Sequence, residues 1–124
     1  MATLNMGRSY ELTYDNIDSN IEAGRIGNYA YGYLNDLGRF VVRYVGRSDT
    51  DLNSRIKHGI LDMDADPKLR YERFKFSYAA SAEEAYEKEC RNYHDFGGEE
   101  GLLKNEDHPA KPKGYKGVCP VCKE

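Results

Sequence analysis

The chain has 124 residues, of which 31% are charged and 40% hydrophobic, and a formal net charge of −3 at pH 7. That length supports one domain with a real core, and the acidic balance excludes indiscriminate coating of nucleic acid while leaving room for a local basic patch. No run of eighteen apolar residues occurs and no basic flank precedes an apolar block at the N-terminus, so neither a membrane span nor a signal peptide is expected and the protein is read as cytoplasmic.

Residues 1–26 are polar and weakly patterned, with Tyr10, Leu12 and Tyr14 alternating briefly, and read as an extension on the edge of the core. Gly27–Leu34 and Arg39–Val45 are alternating apolar runs that face each other across Asn35-Asp36-Leu37-Gly38. This pattern predicts a β-hairpin. After the polar turn Gly46–Asp51, Leu52, Ile56 and Ile60 recur every four residues and predict a helix, with Arg55 beside its apolar stripe rather than opposite it.

Asp62, Asp64 and Asp66 alternate as in a calcium loop. Pro67 stands where such a loop needs glycine and Arg73 where it needs an acid, so a solvated loop is expected. Arg73–Tyr78 alternates and predicts a third strand, with Phe74, Phe76 and Tyr78 toward the core. Ser81 and Glu84 form a capping box that opens a helix to about His94, striped by Ala82, Ala85, Tyr86, Cys90 and Tyr93. Glu89 falls inside that stripe, where a carboxylate is costly unless a cation or hydrogen-bond donors meet it. A strand arginine or a metal ion would serve. The expected architecture is α+β, a small three-stranded antiparallel sheet flanked by helices. Residues 1–26 form the extension, 27–105 the domain, and 106–124 a proline-punctuated connector with a Cys-x-x-Cys tail.

Gly27-Asn28-Tyr29, Tyr44-Val45-Gly46 and Arg55, eleven residues after Tyr44, together resemble the GIY-YIG nuclease signature, and the resemblance runs from about Gly27 to Asn105. Either Tyr29 or Tyr31 could be the first tyrosine. Lengthening both strands by two residues keeps old partners opposite each other, so Tyr29, which also carries a glycine two residues before it, is expected opposite Tyr44. The resemblance implies a phosphodiester hydrolase acting on nucleic acid, in the first instance DNA. Tyr29 or Tyr44 would be general base or water-positioning group, Arg55 would hold the scissile phosphate, and Arg47 would be a second phosphate contact. Glu89, four residues after Ala85 as in the family pattern, would bind Mg2+ or Mn2+, and Asn105 would orient its neighbours by hydrogen bonding. Relatives commonly carry a histidine four residues after the arginine. Here His58 is three after it and Gly59 takes the expected place. A non-catalytic nucleic-acid-binding module and a zinc-stabilised interaction module are the alternative readings.

Three cysteines, an odd number, argue for metal or free thiols over a disulfide framework. Cys119-Pro120-Val121-Cys122 is either half a zinc site or a redox pair. A redox pair requires a following helix, and the sequence given ends two residues on. Cys90 and His94, four apart on one helix face, are expected to complete a zinc tetrahedron, with His108 as the alternative fourth ligand.

Overall fold

A four-stranded antiparallel sheet with helices on both faces organises the chain, in the order β1 (Tyr10–Glu11), α1 (Tyr14–Asn20), β2 (Gly27–Leu34), β3 (Phe40–Ser48), α2 (Leu52–Ala65), a 3-10 turn (Pro67–Leu69), β4 (Arg73–Tyr78) and α3 (Ala82–Asp95). The computed structural model describes residues 4–96, 109–112, 114–115 and 117–121. The fold is α+β, with strand order β1-β4-β2-β3. The sheet has four strands where three were expected, because Tyr10–Glu11 pairs with Phe74 and Arg73 on the outer edge of β4. Two residues are too few for alternation to register as a strand.

Besides adding this edge strand, the N-terminal segment packs on both faces of the sheet. Ile17 and Ile21 pack with Tyr29, Tyr31, Leu52, Ile56, Tyr71 and Phe74 on the α2 face. Leu4 and Met6 pack with Ala30, Val42, Val45 and Tyr93 on the α3 face. Asn28, fully buried, donates from Nδ2 to the Ala85 carbonyl at 2.8 Å and ties α3 to the central strand. In β4, Phe74 is buried as expected, but Tyr78 is 37% exposed, with the Arg25 guanidinium over its ring.

Both long helices begin at side-chain caps. Asp51 accepts from the Ser54 N–H and Ser81 from the Glu84 N–H, while the Glu84 carboxylate reaches back to the Ala80 N–H. The stretch from Asp62 to Ala65, expected as a loop, continues α2. Nothing in it breaks a helix until Pro67, which pushes the preceding Asp66 out of the helical region.

The hairpin register differs from expectation. Tyr31 stands opposite Tyr44, and Tyr29 opposite Gly46. Two single-residue shifts add up to this. The turn closes one residue wider, with Asn35 N–H bonding the Arg39 carbonyl and the Asn35 side chain accepting from the Leu37 and Arg39 N–H groups around Gly38 at φ +75°. A bulge between Tyr31 and Gly32 then takes up one more residue of β3. Each shift alone would turn the tyrosines to the other face, and the pair restores them.

Tyr31 explains why the place expected for a histidine holds Gly59. The Tyr31 hydroxyl donates to the Ile56 carbonyl at 3.0 Å, and a Cβ on Gly59 would collide with the Tyr31 ring. Gly59→Ala is therefore expected to destabilise the protein by about 1–3 kcal/mol through overpacking, despite the better helix propensity of alanine. Urea denaturation checks this. The double variant Gly59→Ala with Tyr31→Val should lose less than the two single changes added together, and strict additivity would mean the ring lies elsewhere.

Candidate functional site

A cavity of about 370 Å3 opens at the β3 edge of the sheet, lined by Tyr29, Tyr44, Gly46, Arg47, Asp49, Thr50, Arg55, Glu89 and Ala110. Its side chains come from β2, β3, α2, α3 and the C-terminal segment, so the folded chain assembles it from both faces of the sheet. Gly46 makes this possible. A Cβ there would sit 2.5 Å from the Tyr29 ring, so only glycine lets that ring lie across the edge strand. The rings of Tyr29 and Tyr44 stack at 6.2 Å between centroids, and Tyr31 abuts both at 5.0 and 5.8 Å. Of the two candidate first tyrosines, Tyr29 lines the cavity, whereas Tyr31 points into α2.

Glu89 is 8% exposed, and its cation is Arg47, whose Nη1 donates to Oε1 at 2.6 Å. The strand arginine anticipated as one possible partner is thus present. Arg47 is not free for a phosphate, since its Nε also donates to Asp49 Oδ1 at 2.8 Å and its guanidinium lies over the Tyr86 ring at 5.3 Å. Burial pushes the Glu89 carboxyl above its ordinary value against the opposing pull of Arg47. Arg47 is the mirror case: burial works against its charge, Asp49 and Glu89 outweigh that, and the guanidinium is held more firmly protonated.

Both cavity tyrosines are raised. For Tyr29 the causes are burial and then Tyr44, for Tyr44 burial and then Glu89, and in each case Arg55 pulls the other way. At neutral pH they are therefore hydroxyls that donate and accept, not phenolates. That disfavours the general-base role and leaves the positioning of water.

Two carboxylates, those of Glu89 and Asp49, line the cavity, and carboxylate is the donor type that a hard divalent ion takes. Mg2+ needs only one or two carboxylates and completes its shell with water and substrate oxygens, and Glu89 and Asp49 supply carboxylates to a cavity large enough for both. In the structure both carboxylates are bonded to Arg47, Glu89 at 2.6 Å and Asp49 at 2.8 Å.

His58 is exposed and is not among the residues lining the cavity; it stands one residue short of the expected place, about 100° of helix turn from it. Asn105, His108 and Cys122 lie outside the described residues. Cys90 and Cys119 lie in one buried cluster with Tyr86. His94 does not join them in a metal-binding group: among the described residues no three His, Cys, Asp or Glu side chains are gathered to hold a metal. Sequence reasoning missed Asp49, Thr50 and Ala110. Asp49, two residues after Arg47 at a strand end, was findable as a fold-back ion pair; Ala110 carried no signal.

Scanned against family models, this chain matches none, and neither a curated protein nor a solved structure matches it significantly. Among the described residues no helix is long and apolar enough to cross a membrane.

The direction of the Glu89 shift has a stability consequence. An acid whose folded pKa is raised binds its proton more tightly in the folded state, so acidification through that pKa toward the unfolded value adds stability that is absent at neutral pH. Glu89→Gln is expected to hold or raise the thermal midpoint at pH 7, with its advantage shrinking as the pH falls. A midpoint lowered at pH 7 by about 4 °C or more, on the order of 1 kcal/mol, would show that the pair with Arg47 outweighs the burial cost.

Proposed function

We propose that this chain is a divalent-metal-dependent nuclease of the GIY-YIG kind. The observation that carries the reading is convergence. Tyr29, Tyr44, Arg55 and Glu89, singled out in the sequence at positions up to sixty residues apart, line one cleft although they sit on four different elements.

In this reading Arg55 binds the non-bridging oxygens of a phosphodiester. It is exposed yet lines the cavity, so its fork is accessible to a polyanion. The hydroxyls of Tyr29 and Tyr44 orient the attacking water by hydrogen bonding; the water oxygen forms the new P–O bond as the bond to the leaving oxygen breaks, the water gives its proton to bulk solvent, and the leaving oxygen takes one up from solvent. Glu89 would hold a magnesium or manganese ion, which when bound neutralises charge on the leaving oxygen. Arg47 keeps the buried carboxylate charged and oriented. Nucleic acid, DNA in the first instance, is the substrate class.

One observation favours a second reading, a non-catalytic nucleic-acid-binding module. The 2.6 Å bond from Arg47 already satisfies Glu89 and would suffice to explain its burial.

A labelled nucleic acid, single- and double-stranded, incubated with the protein over a magnesium or manganese titration separates the two. The nuclease reading expects metal-dependent cleavage that falls a hundredfold or more in Glu89→Gln, about 3 kcal/mol of barrier, with substrate binding retained. Arg55→Ala should lose cleavage by a similar factor and weaken binding as well. Binding without cleavage at any metal concentration would establish the binding module, and binding of neither form would remove both readings.

A further inference from the structure

A second cavity, of about 250 Å3, lies on the β4 side of α3, lined in part by Asn28, Tyr78, Glu84, Glu87, Lys88 and Arg91. Among the described residues it shares none with the cleft. Asn28 stands between the two, since its register partners are Arg47 on β3 and Ser77 on β4. The Asn28 side chain is fully buried. Its Nδ2 donates to the Ala85 carbonyl, but among the described residues its Oδ1 accepts no hydrogen bond. A buried carbonyl oxygen without a donor is rare and marks a place where a donor belongs.

The charges around the cavity are also held apart. Glu84 precedes Lys88, and Glu87 precedes Arg91, at the i,i+4 spacing and order that favour pairing on a helix surface. Among the described residues no ion pair joins either couple. Lys88 Nζ instead donates to Ser77 Oγ at 2.8 Å and to the Asn5 carbonyl at 3.2 Å, which leaves it a further N–H to give. Arg91 is exposed and unpaired. Each glutamate has only one oxygen engaged, Glu84 Oε2 by the Ala80 N–H and Glu87 Oε2 by the Tyr115 hydroxyl. Burial, and after it the nearby Arg91, lowers the Lys88 pKa, so an anionic group near both cations would be drawn by each.

We propose that this cavity binds a free α-amino acid, its carboxylate on Lys88 and Arg91 and its ammonium on Asn28 Oδ1 and the two glutamates. The ammonium supplies the N–H donor that Oδ1 lacks, and the carboxylate takes the donors that Lys88 and Arg91 have left. A phosphate would suit the cations but face both acids. A water would satisfy Asn28 and account for none of the charges, whereas a solvated helix face would account for the charges and leave Oδ1 without a donor. The site stands independently of the nuclease reading.

The test titrates the full chain with the standard L-amino acids, one at a time, by calorimetry, and follows the side-chain amide signals of Asn28 by NMR. At least one amino acid is expected to bind with a Kd of about 1 mM or tighter and to shift those signals. Its decarboxylated amine and its deaminated acid should each bind at least about tenfold more weakly. The same loss is expected when the amino acid meets Arg91→Ala or Glu87→Gln, two changes at the rim of the cavity that leave the core untouched. The absence of any amino acid binding at that level overturns the proposal. So does binding that leaves the Asn28 signals in place, binding at full affinity to either variant, or binding that inorganic phosphate or the deaminated acid matches.

Discussion

The bond between Arg47 and Glu89 is the constraint from which the rest of the cleft follows. A carboxylate that is 8% exposed on the apolar side of a helix would cost several kcal/mol if left without a counter-charge. Its counter-charge comes from the edge strand, so α3 must dock where Arg47 can reach past the sheet rim, and Asn28 fixes that docking from the central strand. Arg47 is held in turn by Asp49 and backed by the Tyr86 ring. The pair therefore aligns the two faces of the sheet at one point on its edge, and the cavity opens at that point.

The opposite wall depends on glycines placed under tyrosines. Gly46 lies beneath the Tyr29 ring and Gly59 beneath the Tyr31 ring, and a side chain at either position would collide with an aromatic. This packs α2 close to the hairpin, which carries Arg55 from the helix to the cavity mouth. The tyrosine cluster, extended by Tyr71 at 4.7 Å from Tyr31, is a rigid floor with hydroxyls set by packing, the kind of pre-organisation that positioning a water requires.

The hairpin, α2, β4 and α3 were legible because each is long enough for its period to show, and each helix carries its own cap, Asp51 and Ser81. Glu89 was legible for the same reason: an acid out of place in an apolar stripe marks a partner before the partner is known. Register was not legible. It depends on a wider turn and a bulge, each a single-residue event with no compositional mark beyond Gly38. β1 and the burial of Ile17 and Leu4 were hidden because they arise from tertiary pairing of short segments. Asp62–Ala65 was misjudged because alternating acids suggested a loop, while the backbone follows helix propensity until proline stops it. His58 shows the limit of motif spacing, since one residue on a helix is 100° of direction.

Charge settles how such a cleft could attract a phosphodiester. Its formally charged lining residues are Arg47, Arg55, Asp49 and Glu89, two cations and two anions, so the cleft is neutral overall on a chain whose net charge is −3. Neither the local nor the global field draws in a polyanion. Arg55 is the one lining cation that forms no ion pair among the described residues, and one exposed guanidinium is a weak anchor in salt. A divalent ion on Glu89 would change the sign of the cleft by two units and give the phosphate a second anchor. On the proposed reading, metal and substrate must then bind with positive coupling, each raising the affinity for the other by the same factor. A cleft that bound nucleic acid with equal affinity whether or not metal was present would lack that coupling, and its acids would have no role at the phosphate.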